Sequence, residues 1–390
     1  MKIGVTGPVS ILPLAIHIDN WDEPPEGIEF AYITTLIEGL LARGHTLHVF
    51  TLNPHVASAR TYSGPNLTIE VLPMRPRARH HLSDLYRKER NLLRDAINAS
   101  DCDLIHAHWT YEFGWAATRS NKKNIVTAHD PPWMIARLYR GGRWWLRALL
   151  AQRVVPHANA LTAVSPNVRD HLMKWMRPKV GVKLIPNGLA PSGLEPRGET
   201  RDKAAPVFAV VAQYFSRRKN TAAAFAALHE LRKTVPGARL LAIGIEHERD
   251  GQAQQWAKAH GFDQNVDWIG PISNAQVGST LQNLVDVLVH PSLNESCSIA
   301  IMEAQNLGLP VIGGYDSGGV EFSLLDGVAG SLTDVRNPTA VANAMRALIE
   351  NQDQYSQLSQ AGLDAIKETF NLAKTLDLYE DAYWELTHTQ

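Results

Sequence analysis

An α/β protein of two domains is what this sequence predicts, and three observations predict it. Strand-like apolar runs alternate with helix-length amphipathic segments from end to end, the pattern of parallel sheets covered by crossover helices. At 390 residues the chain is longer than the roughly 250–300 residues at which one core stops growing. The stretch LAPSGLEPRGETRDKAAP, 189–206, has three prolines, two glycines and no periodicity, so it reads as the connection between two halves.

The strands expected in the first half are 2–6, 46–52, 67–72, 103–108, 124–129, 160–165 and 182–188. Helices are expected between them, over 29–43 before the cap-like Gly44 and over 83–98. In the second half the strands are 207–213, 238–244, 266–270, 285–291 and 309–314. No short fixed repeat occurs, which excludes a solenoid.

Composition narrows the function classes. A hydrophobic fraction of 45% with 20% charged residues is that of a globular protein. No window approaches ~18 consecutive apolar residues. The opening MKIGVTG enters a strand pattern without the apolar stretch of a secretory signal, and Cys102 and Cys297 frame neither a disulfide scaffold nor a zinc site. The expectation is a reduced, cytosolic protein. Net charge is −1, but residues 1–190 carry +8 and residues 191–390 carry −9, so the first half is suited to facing something anionic.

The segment VLVHPSLNESCSIAIMEAQNLGLPVIGG, 287–314, places Glu295 and Glu303 eight positions apart. A buried strand leads into the loop LNES, and a helix begins near Cys297 or Ser298. Ligands of open parallel sheets bind beyond the carboxyl ends of strands, where helix N-termini present free amides. Glu295 falls in that position. Glu303 lies within the helix among Ile299, Ile301, Met302 and Leu307, where an unpaired acid is unusual. Read singly, each glutamate is more often a cap or a surface residue.

This segment resembles the E-x7-E signature of retaining glycosyltransferases of the GT-B architecture, family 4. The resemblance runs through nearly the whole chain in the expected order: EGLLARGHTLHVFT (38–51), DLIHAHW (103–109), VTAHD (126–130), ALTAVS, KLIPNG, GGVEFSLLDGVAGSL (318–332) and FNLAKTLDLYEDAYWEL (370–386). It implies two Rossmann-like domains facing across a cleft: an acceptor-side domain over 1–188, a linker over 189–205 and a nucleotide-sugar domain over 206–368. The last helix, 369–390, would return to the first domain.

The resemblance also implies roles. Glu303 would hold the ribose of a nucleotide sugar and Glu295 the donor sugar, with Ser298 beside them. His129, ending the strand NIVTAH, resembles the histidine that touches the donor sugar; the plainer alternative is a strand-end histidine satisfied by backbone. In SRRKN (216–220), Arg218 and Lys219 are candidates for the diphosphate, since cations at a helix start are unfavourable without an anion. Gly318 and Gly319 would add amides from a turn. The chain departs from the family's Gly-Arg-Leu upstream of that lysine, having Gln213 or Tyr214 where its arginine would fall. It also has only Gly27 in the acidic first loop on the acceptor side.

The reaction implied is transfer of a sugar from a nucleotide sugar to a hydroxyl of a sugar or glycolipid, with retention and with neither metal nor other cofactor. A hydrolase or epimerase of the same architecture and a catalytically silent binding subunit are the alternatives. A nicotinamide dehydrogenase is disfavoured, since VTGPVS lacks the Gly-x-Gly-x-x-Gly turn. Residues 137–153, with five arginines, no acid and Trp144 and Trp145, either touch a membrane peripherally or pack with their tryptophans in the core. No recognition motif supports nucleic acid.

Overall fold

The computed structural model describes all residues except 24–29, 78–79, 82, 140, 194–198, 201 and 389–390. The chain divides into two compact units: Met1–Asn187 with Leu372–Gln390, and Gly188–Asn371.

The first unit contains an eight-stranded sheet. Its strands are β1 (Lys2–Thr6), β2 (Thr46–Asn53), β3 (Arg60–Ser63), β4 (Leu67–Pro73), β5 (Leu104–His108), β6 (Lys123–Ala128), β7 (Ala160–Ala163) and β8 (Val182–Leu184). Their spatial order is β3-β4-β2-β1-β5-β6-β7-β8, parallel throughout except for β3 against β4. The helices between them are α1 (Ala31–Ala42), α2 (Arg87–Ala99), α3 (Glu112–Thr118), α4 (Pro132–Tyr139), α5 (Gly142–Val154) and α6 (Pro166–Trp175).

The second unit has β9 (Val207–Val211), β10 (Arg239–Ile243), β11 (Val266–Gly270), β12 (Val287–His290), β13 (Val311–Gly314) and β14 (Ser331–Thr333). All are parallel, in the order β11-β10-β9-β12-β13-β14. Its helices are α7 (Thr221–Leu231), α8 (Gln252–His260), α9 (Asn274–Leu284), α10 (Ile299–Asn306), α11 (Val320–Ser323), α12 (Pro338–Glu350) and α13 (Gln352–Glu368). Along β9, Phe208 and Val210 enter one core cluster and Ala209 the other, so the period-2 alternation of a strand feeds both faces. Burial on both faces is why these strands read as continuous apolar runs.

The last helix, α14 (Leu372–His388), belongs to the first unit. Leu376, Tyr379, Ala382 and Tyr383 join a cluster with Ile3, Val5, Ile33 and Leu36. Burying side chains of this size contributes about 1.5–3 kcal/mol each.

One expectation is corrected. The helix foreseen over 83–98 begins only at Arg87, because Leu85 and Tyr86 have φ of 56° and 62°. That turn brings Asp84 and Glu89 to one partner, with Arg75 Nη2 at 2.8 Å from Asp84 Oδ1 and 2.6 Å from Glu89 Oε2. The described residues of the basic segment 137–153 fall in two helices, α4 and α5. Arg147 turns inward, 3.1 Å from Glu112 Oε1 and over the Tyr111 ring at 4.1 Å. Trp144 is half-buried and stacks on Tyr139 at 4.8 Å, whereas Trp145 is 42% exposed. Among the described residues no helix is long and apolar enough to cross a membrane.

Candidate active site

In the second sheet the chain reverses its direction of progress between β9 and β12, and ligands of open parallel sheets bind outside the carboxyl ends at such a switch point. The loops leaving those two strands are stitched together. The Leu293 N–H donates to the Arg218 carbonyl at 2.8 Å, and Arg218 Nε donates to the Asn294 carbonyl at 2.8 Å. Asn220 Nδ2 donates to the carbonyls of Pro291 and Val335 at 3.1 and 2.8 Å.

These bonds bring the predicted Arg218, Lys219 and Glu295 into one ion triad. Arg218 Nη2 lies 2.6 Å from Glu295 Oε2, and Lys219 Nζ lies 2.6 Å from Glu295 Oε1. Glu295 is 6% exposed. Burial alone would push its carboxyl up, but the Arg218 and Lys219 cations outweigh this and hold it well below the usual carboxylate range. The triad keeps one net positive charge at the loop that leads into α10. Ser298 caps that helix, its Oγ accepting from the Ile301 N–H at 3.4 Å, and also lies 3.4 Å from His290 Nε2. His290, which the sequence reading passed over, has its imidazole lowered by burial despite the neighbouring Glu295.

The two glycines serve differently. Gly318 has φ of 70°, a backbone that side chains rarely adopt. A Cβ on Gly319 would lie 1.7 Å from the Ser296 carbonyl oxygen. The expectation that both amides face a phosphate is corrected for Gly319, whose N–H donates to the Glu295 carbonyl at 2.7 Å. That bond and the Glu295 N–H to the Ser317 carbonyl, 3.1 Å, lock the acidic loop to the turn.

Glu303, the fifth residue of α10, is half-buried, and among the described residues nothing donates to its carboxylate. Burial pushes its carboxyl up to about 7. A desolvated acid lacking a partner is unstable as an anion.

In the first unit His129 follows β6 and is 7% exposed. Its Nε2 lies 2.9 Å from His108 Nδ1, while its Nδ1 has no hydrogen-bond partner. His106, two residues before His108 on the same face of β5, bonds Tyr383 Oη and Thr127 Oγ1 at 2.7 Å each. Burial pulls the His106 and His129 imidazoles down to about 3, and His108 well below its usual value, so all three are neutral at pH 7. The alternation in HAH was the available signal for this stack. Gly27 lies outside the described residues. A cavity of about 700 Å³ beside β11, lined among others by Arg239, Arg249, Lys258 and Trp268, includes none of these residues.

The switch point thus carries an E-x7-E pair and a cation pair on adjoining loops, the arrangement that the resemblance to glycosyltransferases implied. The sequence family described as Glycosyltransferase Family 4 matches residues 30–192, and that described as Glycosyl transferases group 1 matches residues 195–364. The chain belongs to the GT-B glycosyltransferases of family 4, group 1. A D-inositol 3-phosphate glycosyltransferase from Corynebacterium kroppenstedtii is 27% identical over 146 residues, covering 36% of this chain and 32% of that protein. The chain thus spans about a third of the length of that curated relative. Sucrose-phosphate synthase from Thermosynechococcus elongatus shares the fold over 100% of both chains, with a TM-score of 0.79 and 20% identity. HepE from Anabaena, solved in complex with UDP and glucose, covers 99% of this chain and 100% of its own at a TM-score of 0.68 and 16% identity.

Proposed function

We propose that the chain transfers a sugar, with retention of anomeric configuration, from a nucleoside diphosphate sugar to a hydroxyl of a sugar or glycolipid. The observation that carries this reading is Glu295 held between Arg218 and Lys219 at the switch point, with the unpartnered Glu303 on the helix that follows. Glu303 accepts from the two vicinal ribose hydroxyls, which supply the donors its carboxylate lacks. Arg218 and Lys219 hold the diphosphate, and Glu295 keeps the two cations together until that anion arrives.

In the reaction the bond from the anomeric carbon to the diphosphate oxygen breaks. The bond to the acceptor oxygen forms on the same face, and the acceptor's proton passes to the departing phosphate. Charge growing on that phosphate is what Arg218, Lys219 and the Gly318 turn stabilise, the electrostatic contribution that usually dominates. His129, neutral, offers a nitrogen to a sugar hydroxyl. No metal is assigned a step.

The test is product analysis with UDP-glucose, chosen because the HepE neighbour was solved with UDP and glucose. Incubation with a panel of sugar and glycolipid acceptors should give an α-linked product, read by NMR of the anomeric proton. A β-linked product would overturn retention; free glucose alone in every case would favour the hydrolase alternative.

A further inference from the structure

The first sheet carries a row of three side chains toward the amino ends of its strands, away from the edge where ligands of open sheets bind. Gly4, His48 and Glu70 lie on β1, β2 and β4, which are neighbours in the sheet, and Cys102 precedes β5 on the other side of β1. Gly4 pairs with His48 on one side and with Ile105 on the other. Because Gly4 has no side chain, its neighbours close over it: a Cβ there would lie 3.2 Å from Cys102 Sγ and 3.3 Å from Phe50 Cε2. The Phe50 ring in turn stacks on the His48 imidazole at 4.3 Å. His48 Nε2 lies 3.0 Å from Glu70 Oε1, and the imidazole also hydrogen-bonds the Cys102 thiol.

Acid, base and nucleophile thus follow one another from the surface inward: the side chains of Glu70 and His48 are 24% and 12% exposed, and Cys102 is 3% exposed. Burial pulls the His48 imidazole down, but its bonds to Cys102 and Glu70 outweigh this and raise it to about 9, so the ring is a cation at pH 7. The groups that face it are the Glu70 carboxylate from β4 and the Cys102 thiol; the Asp101 carboxylate also senses this cation but is ion-paired to Lys2. A cation beside a thiol stabilises the thiolate, which is the form that attacks, and a base oriented by a third group is how protein nucleophiles are activated. A cysteine that only fills a core needs neither partner.

We propose that Cys102 is a modification site, a thiol that hydrogen peroxide oxidises to a sulfenic acid, with His48 as its base and Glu70 as the group that positions His48. The thiol proton resides on the imidazole. The sulfur attacks one peroxide oxygen, forming the S–O bond as the O–O bond breaks, and the departing hydroxide takes the proton from His48 and leaves as water. Sulfur is oxidised by two electrons and the peroxide is reduced by two. At 3% exposure the sulfur suits an oxidant of this size and not a bulky disulfide. Sugar transfer uses none of these three residues, so the site stands or falls apart from that reading.

The experiment exposes the full chain to hydrogen peroxide at pH 7, stops the reaction with catalase at intervals, unfolds each sample in excess dimedone and follows both cysteine peptides by mass spectrometry. Cys297, 8% exposed, is the internal standard. Cys102 should acquire dimedone about ten-fold or more faster than Cys297, although exposure alone would favour Cys297. Glu70→Gln and His48→Asn should each slow Cys102 about five-fold or more while Cys297 keeps its rate, which a merely structural role would not produce. Melting temperatures check that the variants are folded, and Glu70→Gln, nearer the surface, decides the matter if His48→Asn does not fold. A Cys102 no faster than Cys297 in the wild type, or an undiminished Cys102 rate in Glu70→Gln, would overturn the proposal.

Discussion

Lys219 Nζ and Glu295 Oε1 lie 2.6 Å apart, 76 positions distant in sequence, and the Arg218 guanidinium takes the other oxygen of the same carboxylate. The anion thereby neutralises one of two adjacent cations in the unliganded protein.

Removing that anion should be costly. Glu295→Ala leaves two partly buried cations facing each other, and breaking such pairs costs about 3–5 kcal/mol. The variant should melt several degrees lower, with part of the loss recovered on adding UDP, whose phosphates replace the carboxylate. An unchanged melting temperature would show the triad to be loosely held.

Glu303 should show the opposite sign. Its carboxyl titrates near 4.5 when unfolded and near 7 when folded, so the folded state binds the extra proton and stability falls as pH rises across that window. Glu303→Gln should therefore gain stability over wild type between about pH 4.5 and 7, with a constant advantage above. It should also bind UDP-glucose less tightly, by the roughly 1.5–3 kcal/mol of charge-assisted hydrogen bonds lost. Calorimetric melting and titration measure both; undiminished affinity would remove Glu303 from the ribose.

The histidine stack sets an acid limit on the first unit. His106 and His129 take up a proton near 6.5 when unfolded and only near 3 when folded. Stability is therefore lost progressively as pH falls below 6.5. Thermal melts from pH 7.5 to 4.5 should show this slope, and His129→Gln should flatten it.

Residues 137–153 now divide their duties. Arg147→Glu should disrupt the fold by placing two acids, Glu112 and residue 147, together in a buried position, and should not report on lipid at all. If the helix docks on anionic vesicles, Trp145 and Leu149, exposed at 42% and 44% and one turn apart on α5, make the contact. Changing both to serine should abolish co-sedimentation at low salt; retention of binding would place the contact elsewhere.

Activity should persist in excess chelator, measured as UDP released from UDP-glucose with acceptor present. A complete loss restored by added metal would contradict the assigned mechanism.

What the sequence disclosed follows from what is local. The buried parallel strands carry apolar runs that need no partner to be read, and the approach of an acid loop to a helix start is a short-range pattern. β3 was missed because RTYS is an antiparallel strand at the sheet edge with a single buried residue, and β14 because three half-buried residues carry no period. The true start of α2 depends on Arg75, which draws Asp84 and Glu89 from outside the helix. The ion triad joins the loops of β9 and β12, and the hydrogen bond between His108 and His129 joins the end of β5 to the loop after β6. Such pairings are set by strand order, which no single segment states.

The first unit is closed by α14, which is made after both sheets. A ribosome has released residues 1–187 and the entire second unit before Leu376, Tyr379 and Tyr383 emerge to cover the cluster around Ile3 and Leu36. Nascent chains stalled so that residue 371 has just emerged should thus hold a finished second unit beside an unfinished first one. Chaperone demand would fall on the half of the protein that was synthesised earliest.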